Sequence, residues 1–254
     1  MAALFVSDLH LCPGRPRTCR LFLEFLSGPA RQAESLYILG DLFEYWAGDD
    51  DLDDPFNAAI CAALRALSDT GVPLFFMAGN RDFLIGETFA RAAGLTLLPD
   101  PALIETAGAA ILLTHGDTLC TDDDAYQTFR AEVRAPAWRQ AFLSLPLAER
   151  KARIEALRLQ SETEKRGKPM AIMDANPAAA AEMLAAYGCK RLIHGHTHRP
   201  AWHDIKVDGQ PRERWVLPDW HESGGYLACD AAGCRLLNWP TAASVQQKKK
   251  SGKN

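Results

Sequence analysis

The sequence predicts an α/β protein, and three observations carry that expectation. Short uninterrupted apolar runs recur along the 254 residues, helical patterns fall between them, and the runs stop on Gly, Asp, Asn or His. Runs of this length suit strands buried on both faces. Their alternation with helices is the signature of a layered α/β architecture.

Taken in order, the first run is Ala3–Val6, and a helical pattern at Arg20–Phe25 separates it from Leu36–Leu39. Phe56–Ser68 reads as a second helix, Leu74–Met77 as a third strand, Thr88–Ala93 as a helix and Ala110–Leu113 as a fourth strand. The rhythm then breaks. Tyr126, Phe129 and Val133 fall at helical spacing, as do Ile154 and Leu157, with Trp138, Phe142, Leu143, Leu145 and Leu147 between them and Pro136 and Pro146 as interruptions. This stretch reads as a helical insertion. Asn176 has the character of an N-cap, Pro177 of a first helical residue and Gly188 of a stop, framing a helix before the fifth run, Arg191–Ile193. Beyond Trp202, the segments Glu213–Leu217, Gly225–Asp230 and Gly233–Trp239 look like hairpin strands. The expected organisation is one main domain from residues 1–124 and 171–240, a helical insertion at 125–170, and a disordered tail at 241–254. That tail ends in Lys248, Lys249, Lys250 and Lys253 without hydrophobic periodicity.

Composition narrows the function classes. With 48% hydrophobic and 24% charged residues the chain is neither disordered nor collagen-like, and a net charge of −4 does not advertise nucleic-acid binding. Residues 125–170 nonetheless hold ten Lys/Arg against five Asp/Glu. Such a basic segment in an acidic chain suits either a phosphate-rich ligand or an anionic surface, or is simply a solvated helical face. The seven cysteines are odd in number and lack a CxxC pair. They therefore predict neither a disulfide framework nor a zinc ribbon, and fit a reducing cytoplasm. Residues 1–6 are too short for a signal peptide, and no run approaches the ~18–20 apolar residues of a membrane span. Membrane association, if present, is expected to be peripheral.

The chemistry lies where the runs end. Asp8-Leu9-His10 follows the first, Gly40-Asp41 the second, Gly79-Asn80-Arg81-Asp82 the third, His115-Gly116-Asp117 the fourth and His194-Gly195-His196-Thr197-His198 the fifth. Loops at the carboxyl ends of strands in such sheets converge on one crevice. One such ending is unremarkable, since turns favour Asp and His; five in one chain are not explained by turns. The ordered set resembles the calcineurin-like metallophosphoesterases over residues 3–200. That resemblance implies a β-sandwich flanked by helices, and two divalent ions, most often Mn²⁺. Asp8, His10, Asp41 and His198 would hold one ion and Asp41, Asn80, His115 and His196 the other, with Asp41 bridging. A hydroxide shared by the ions would be the nucleophile. Mixed imidazole and carboxylate donors suit Mn²⁺, Fe²⁺ or Zn²⁺ better than Ca²⁺, and a two-ion clamp suits phosphoryl transfer. Glu44, Asp82 and Asp117 are candidates for orienting these ligands; His194 reads as strand packing, and His203 and His221 have no motif context.

Many members of that family carry His after the Asn ligand, where it protonates an alkoxide leaving group. Here Arg81 stands there, and arginine is no general acid near neutrality. A leaving phosphate monoester, with a second pKa of roughly 6, needs no such acid, and Arg81 is free to contact a diphosphate as an electrostatic partner. Longer strings narrow the likeness. Residues 8–11, 37–44, 79–84, 115–123, 171–174 and 194–200 are similar to the UDP-2,3-diacylglucosamine pyrophosphatases of lipid A synthesis, a likeness that runs to about Trp239. It implies hydrolysis of UDP-2,3-diacylglucosamine to UMP and 2,3-diacylglucosamine 1-phosphate in the cytoplasm, at the inner-membrane surface, with no obligate protein partner and no nucleic acid. Asn80, Arg81, Asp123, Ser161, Lys165, Lys168 and His196 would meet the head group; Lys165 stands where some relatives have Asn. Phe83, Leu84, Tyr126, Phe129, Val133, Trp138, Phe142, Ile154 and Leu157 would line a groove for the acyl chains, or form the insertion's own core. Two rival readings are a phosphoesterase for a lipid-free substrate, against which the basic aromatic insertion argues, and a scaffold that has lost its metals, which should also have lost their ligands.

Overall fold

The computed structural model describes residues 1–106, 108–165, 172–221 and 223–241. The first of two sheets grows around β1 (Ala3–Val6). On one side lie β2 (Ser35–Leu39), β3 (Leu74–Met77) and β4 (Leu95–Leu98), each parallel to its neighbour; on the other lie β10 (Gly224–Asp230) and β11 (Gly233–Trp239), each antiparallel to its neighbour. The second sheet has the order β5 (Ala102–Thr106), β6 (Ala109–Leu113), β7 (Arg191–His194), β9 (Gln210–Val216), β8 (Ala201–Val207). Its three central strands are parallel and its two outer strands antiparallel to their neighbours.

The alternation of side chains along a strand divides the apolar runs between two cores. Ala3, Phe5, Tyr37, Leu39 and Met77 meet Ile111, Leu113 and Ile193 between the sheets. Leu4, Val6, Leu36, Ile38 and Phe76 turn the other way, against Phe22 and Phe25 of α1 (Pro16–Ser27), Leu64 of α2 (Pro55–Ser68) and Phe89 of α3 (Glu87–Ala93). Behind the second sheet, Leu112 and Leu192 pack on Ala180 and Leu184 of α7 (Pro177–Ala186). The result is a β-sandwich with helices on both outer faces. Asn176 caps α7 through bonds from the Ala178 and Ala179 amides, and Pro177 is its first residue.

Between β6 and β7 the chain leaves the sandwich as α4 (Asp124–Arg134), α5 (Pro136–Leu143) and α6 (Leu147–Lys165). Pro136 opens α5, where its missing N–H costs nothing. The basic charge of these helices is spent largely on the acidic body. Arg130 reaches Asp117 at 2.7 Å and Asp100 at 3.4 Å, Lys151 reaches Asp51 at 2.7 Å and Arg158 reaches Glu44 at 2.8 Å. Buried Arg150 donates to the Ala47 and Leu145 carbonyls and to Asp50. A solvated helical face does not describe this surface; it is an electrostatic clasp between cap and sandwich.

Three elements differ from the sequence expectation. β4, β5 and β8 lie at sheet edges, where exposed and half-buried side chains interrupt the buried ones, so no continuous apolar run marks them. Cys229 and Cys234 form a disulfide across the β10–β11 hairpin, with Cα atoms 4.1 Å apart, whereas the cysteine count predicted free thiols. Hairpin register brings them opposite one another, and residue spacing alone does not reveal it. Lys168, the Lys165 side chain and the tail from residue 242 lie outside the described residues.

Candidate metal centre

All seven motif residues follow strand C-termini at one edge of the sandwich: Asp8 and His10 after β1, Asp41 after β2, Asn80 after β3, His115 after β6, and His196 and His198 after β7. The loops make abrupt local turns. Asp8, His10, Asp41, His196 and His198 have φ of 54°, 49°, 53°, 66° and 54°, and only Asp208 among the other described non-glycine residues is also positive. The left-handed region costs a side-chain-bearing residue about 1–2 kcal/mol, and such costs gather where function needs them. The loops also press together, so that a Cβ on Gly79 would collide with the backbone and carboxylate of Asp41. That contact explains glycine before Asn80.

Asp41 lies at the junction of two groups. Its Oδ2 is 3.7 Å from His10 Nε2 and its Oδ1 is 3.8 Å from His115 Nε2. On the first side, His10 Nε2 and His198 Nε2 face each other at 3.4 Å, and Asp8 Oδ1 lies 3.4 Å from His198 Nε2. On the second, Asn80 Oδ1 is 3.1 Å from His115 Nε2 and 2.9 Å from His196 Nδ1. The far ring nitrogens are held from behind: His115 Nδ1 donates to the Leu39 carbonyl at 2.8 Å, while His10 Nδ1 faces Glu44 at 3.5 Å and His198 Nδ1 faces Asp219 at 3.4 Å. Partners of this kind fix the ring and leave the inward nitrogen free for a cation.

These donors fit divalent ions. Asp8 Oδ2 accepts from Ser7 Oγ at 2.5 Å and from the His196 amide at 2.9 Å, yet its Oδ1 is sealed from solvent with no hydrogen bond. Protonation shifts reveal the same demand for positive charge. Burial disfavours a charged His115, but Asp41, Asp117 and Asp8 outweigh it and push the imidazole up to about 9. Burial likewise opposes charge on His198, which Asp219 and Asp8 push up to about 10. Asp41 is raised to about 7, chiefly by burial. His196 falls to about 3 through burial and the nearby charge of His115. Protons on two imidazoles thus balance carboxylates that cations would otherwise balance.

Asp82 shapes the loops, accepting from the amides of Gly79, Asp41, Leu42 and Phe43. Asp117 collects Tyr126 Oη at 2.9 Å and Arg130 Nε at 2.7 Å, tying α4 to the loop of His115. His194 is fully buried with Nδ1 on the Gly195 carbonyl. Asp123 is placed as the N-cap of α4, accepting from the Tyr126 amide at 3.1 Å.

A cleft runs from the metal-ligand loops to the underside of the cap. Asn80, Arg81 and His196 line it together with Phe83, Leu84, Tyr126, Phe129, Val133, Trp138, Phe142, Ile154, Leu157 and Ser161. Trp138 stacks on Phe142 with ring centres 4.6 Å apart. The Arg81 amide donates to Asp41 Oδ1 at 2.8 Å, so the loop that aims its guanidinium also steadies the junction carboxylate. Sequence reasoning missed Tyr45, Trp46, Arg130, Arg134 and Arg158 on the cleft wall, and Asp219 behind His198. The signal for Asp219 was another apolar run, at Trp215–Leu217, whose strand runs parallel to β7 and so ends at the same edge.

Residues 1–200 match the family model described as calcineurin-like phosphoesterase. A UDP-2,3-diacylglucosamine hydrolase of Aromatoleum aromaticum is 59% identical over 92% of this chain and 95% of its own. Proteins of that same name from Aeromonas hydrophila and Escherichia coli are 49% and 48% identical, over 93% and 94% of this chain and 98% and 100% of theirs. Among the described residues, no helix is long and apolar enough to cross a membrane.

Proposed function

The chain belongs to the calcineurin-like phosphoesterase family, and from that premise we propose that it cleaves the diphosphate of UDP-2,3-diacylglucosamine with water, releasing UMP and 2,3-diacylglucosamine 1-phosphate. The substrate is the one named for relatives that share about half of this sequence or more along nearly its whole length. A single structural observation supports it best: one cleft is lined both by apolar and aromatic side chains of the cap and by Asn80, Arg81 and His196. Such a shape suits a molecule with acyl chains at one end and a diphosphate at the other.

In this reading Asp8, His10, Asp41 and His198 hold one divalent ion and Asp41, Asn80, His115 and His196 a second, Mn²⁺ being the favoured metal. Bound there, the pair would draw charge from the phosphate oxygens and make a water nucleophilic. The protein does the rest. Arg81, fixed through its own amide to Asp41, offers a planar cation to the diphosphate and has no proton to give at neutral pH. A phosphate monoester leaves without an acid, and in this reading water attacks the uridine-side phosphorus, expelling the lipid phosphate. Residues 125–170 serve as the lipid-binding cap on a catalytic body of 1–124 and 171–240, with Asp123, Ser161, Lys165 and Lys168 toward the head group. Leu159, 63% exposed, and Leu143 add exposed apolar side chains to the cap. This supports peripheral attachment to the cytoplasmic face of the inner membrane.

The test is UMP release from the diacylated substrate by metal-stripped protein, with and without Mn²⁺, in ¹⁸O-water. Turnover should require added metal and put the label in UMP. Turnover indifferent to chelator, or label in the lipid phosphate, would overturn the reading.

A further inference from the structure

The two imidazoles of the first ion's side are joined behind the site by a continuous polar frame. From His198, Nδ1 lies 3.4 Å from Asp219 Oδ2, and that oxygen is 3.1 Å from His221 Nε2. His221 Nδ1 is 3.3 Å from Arg15 Nη1, whose Nη2 is 3.7 Å from Glu44 Oε2. Glu44 Oε2 in turn lies 3.5 Å from His10 Nδ1. Donors and acceptors alternate from His198 to Arg15: His198 directs Nδ1–H at Asp219, His221 gives Nε2–H to the same carboxylate, and Arg15 gives N–H to His221 Nδ1. His10 Nδ1 and Arg15 approach Glu44 Oε2 as ion-pair neighbours, without a hydrogen bond. With His198 Nδ1 turned to Asp219 and His10 Nδ1 turned to Glu44, the Nε2 atoms of the two rings face each other across the site.

We infer that Asp219, His221 and Arg15 are positioning residues that set the affinity of the ion held by Asp8, His10 and His198. The inference rests on the two-ion reading above and adds three residues to it. The second side is built differently: His115 leans on the Leu39 carbonyl, a main-chain group no substitution removes. The first side depends on side chains, and two of them, Arg15 and His221, are 36% and 49% exposed. The two ions should therefore differ in how easily they are lost, the framed one being the more sensitive to change. His198, Asp219 and His221 could also be read as a third cation site, since their ligand atoms lie within 4.8 Å of one another. The Arg15 guanidinium against His221, and the engagement of His198 Nδ1 with Asp219, oppose that.

The experiment is Mn²⁺ titration of metal-stripped protein, followed by calorimetry and by the electron paramagnetic resonance of free Mn²⁺. Wild type should bind two ions. Asp219→Ala should weaken one of them about 10–100-fold, the usual effect of removing a partner behind a ligand, and leave the other within about twofold. Asp219→Glu should recover part of the loss, and the metal-free variants should still unfold in one cooperative transition. Arg15→Gln, at an exposed residue that touches neither ligand histidine, keeps the test open should Asp219→Ala fold poorly; it should weaken the same ion alone. Two ions bound with wild-type affinities by Asp219→Ala or Arg15→Gln would overturn the inference, as would a third ion in wild type that Asp219→Ala loses. Wild type that binds no Mn²⁺ would instead strike the two-ion reading itself.

Discussion

A ligand histidine must shed its proton before a cation can take its place, and the shifts at this site say when. His115 and His198, raised to about 9 and about 10, stay protonated at pH 7.5, where an ordinary imidazole near 6.5 is mostly neutral. Metal entry should therefore release protons. Calorimetry of Mn²⁺ binding at pH 7.5 in buffers of different ionisation enthalpy should show close to two protons released per chain, with affinity rising up to about pH 9–10; equal heats in all buffers would refute this. Stability follows the same groups. A raised folded-state value stabilises fully below about 6.5 and is lost as pH climbs through the raised values, so metal-free protein should soften between pH 7 and 10 while loaded protein does not. The seven motif residues were legible because each follows a strand-like run on a short turn. Asp219 and His221 were not, because Glu213–Leu217 reads as a hairpin strand, and only its parallel pairing with β7 shows which edge it reaches.

The insertion shows where element-level reading holds and where it stops. Helical spacing of Tyr126, Phe129 and Val133 marked α4, and every apolar residue named for a groove borders the same cleft. The destination of the charge was not legible, since the carboxylates that receive Arg130, Arg150, Lys151 and Arg158 are distant in sequence. Under the proposed function, binding energy from the acyl chains would be remote from the reacting phosphorus and would act by holding the diphosphate in place. Trp138→Ala removes the ring stacked on Phe142, and roughly 60–100 Å² of it covered by an acyl chain is worth ~1.5–2.5 kcal/mol at ~25 cal/mol per Å². Its kcat/KM for the diacylated substrate should fall about 10–100-fold, with hydrolysis of a small aryl phosphodiester within about twofold of wild type. Equal losses on both substrates would assign Trp138 to the integrity of the site instead.

At the scale of the molecule, the site stitches the two sheets. Asp8, Asp41 and Asn80 come from one and His115, His196 and His198 from the other, so each ion would be held by both halves of the sandwich. Binding to the folded state alone stabilises it by about 2.7 kcal/mol at a hundredfold excess over Kd, or roughly 5–10 °C in a chain of this size. Chelator should lower the melting temperature by about that much, and an unchanged melting curve would mean that the ions do not bridge the sheets. The layered fold was readable from its central strands because burial on both faces writes an unbroken apolar run, whereas the edge strands β4, β5 and β8 leave no such mark. The left-handed backbone at Asp8, His10, Asp41, His196 and His198 has a historical consequence. At each of these positions glycine would relax the chain while removing a donor, so robustness and turnover are selected in opposite directions at the same five sites. A descendant freed from the need to turn over substrate should drift toward glycine there first, its apolar strands intact: a fossil phosphoesterase, recognisable by its shape and silent in its chemistry.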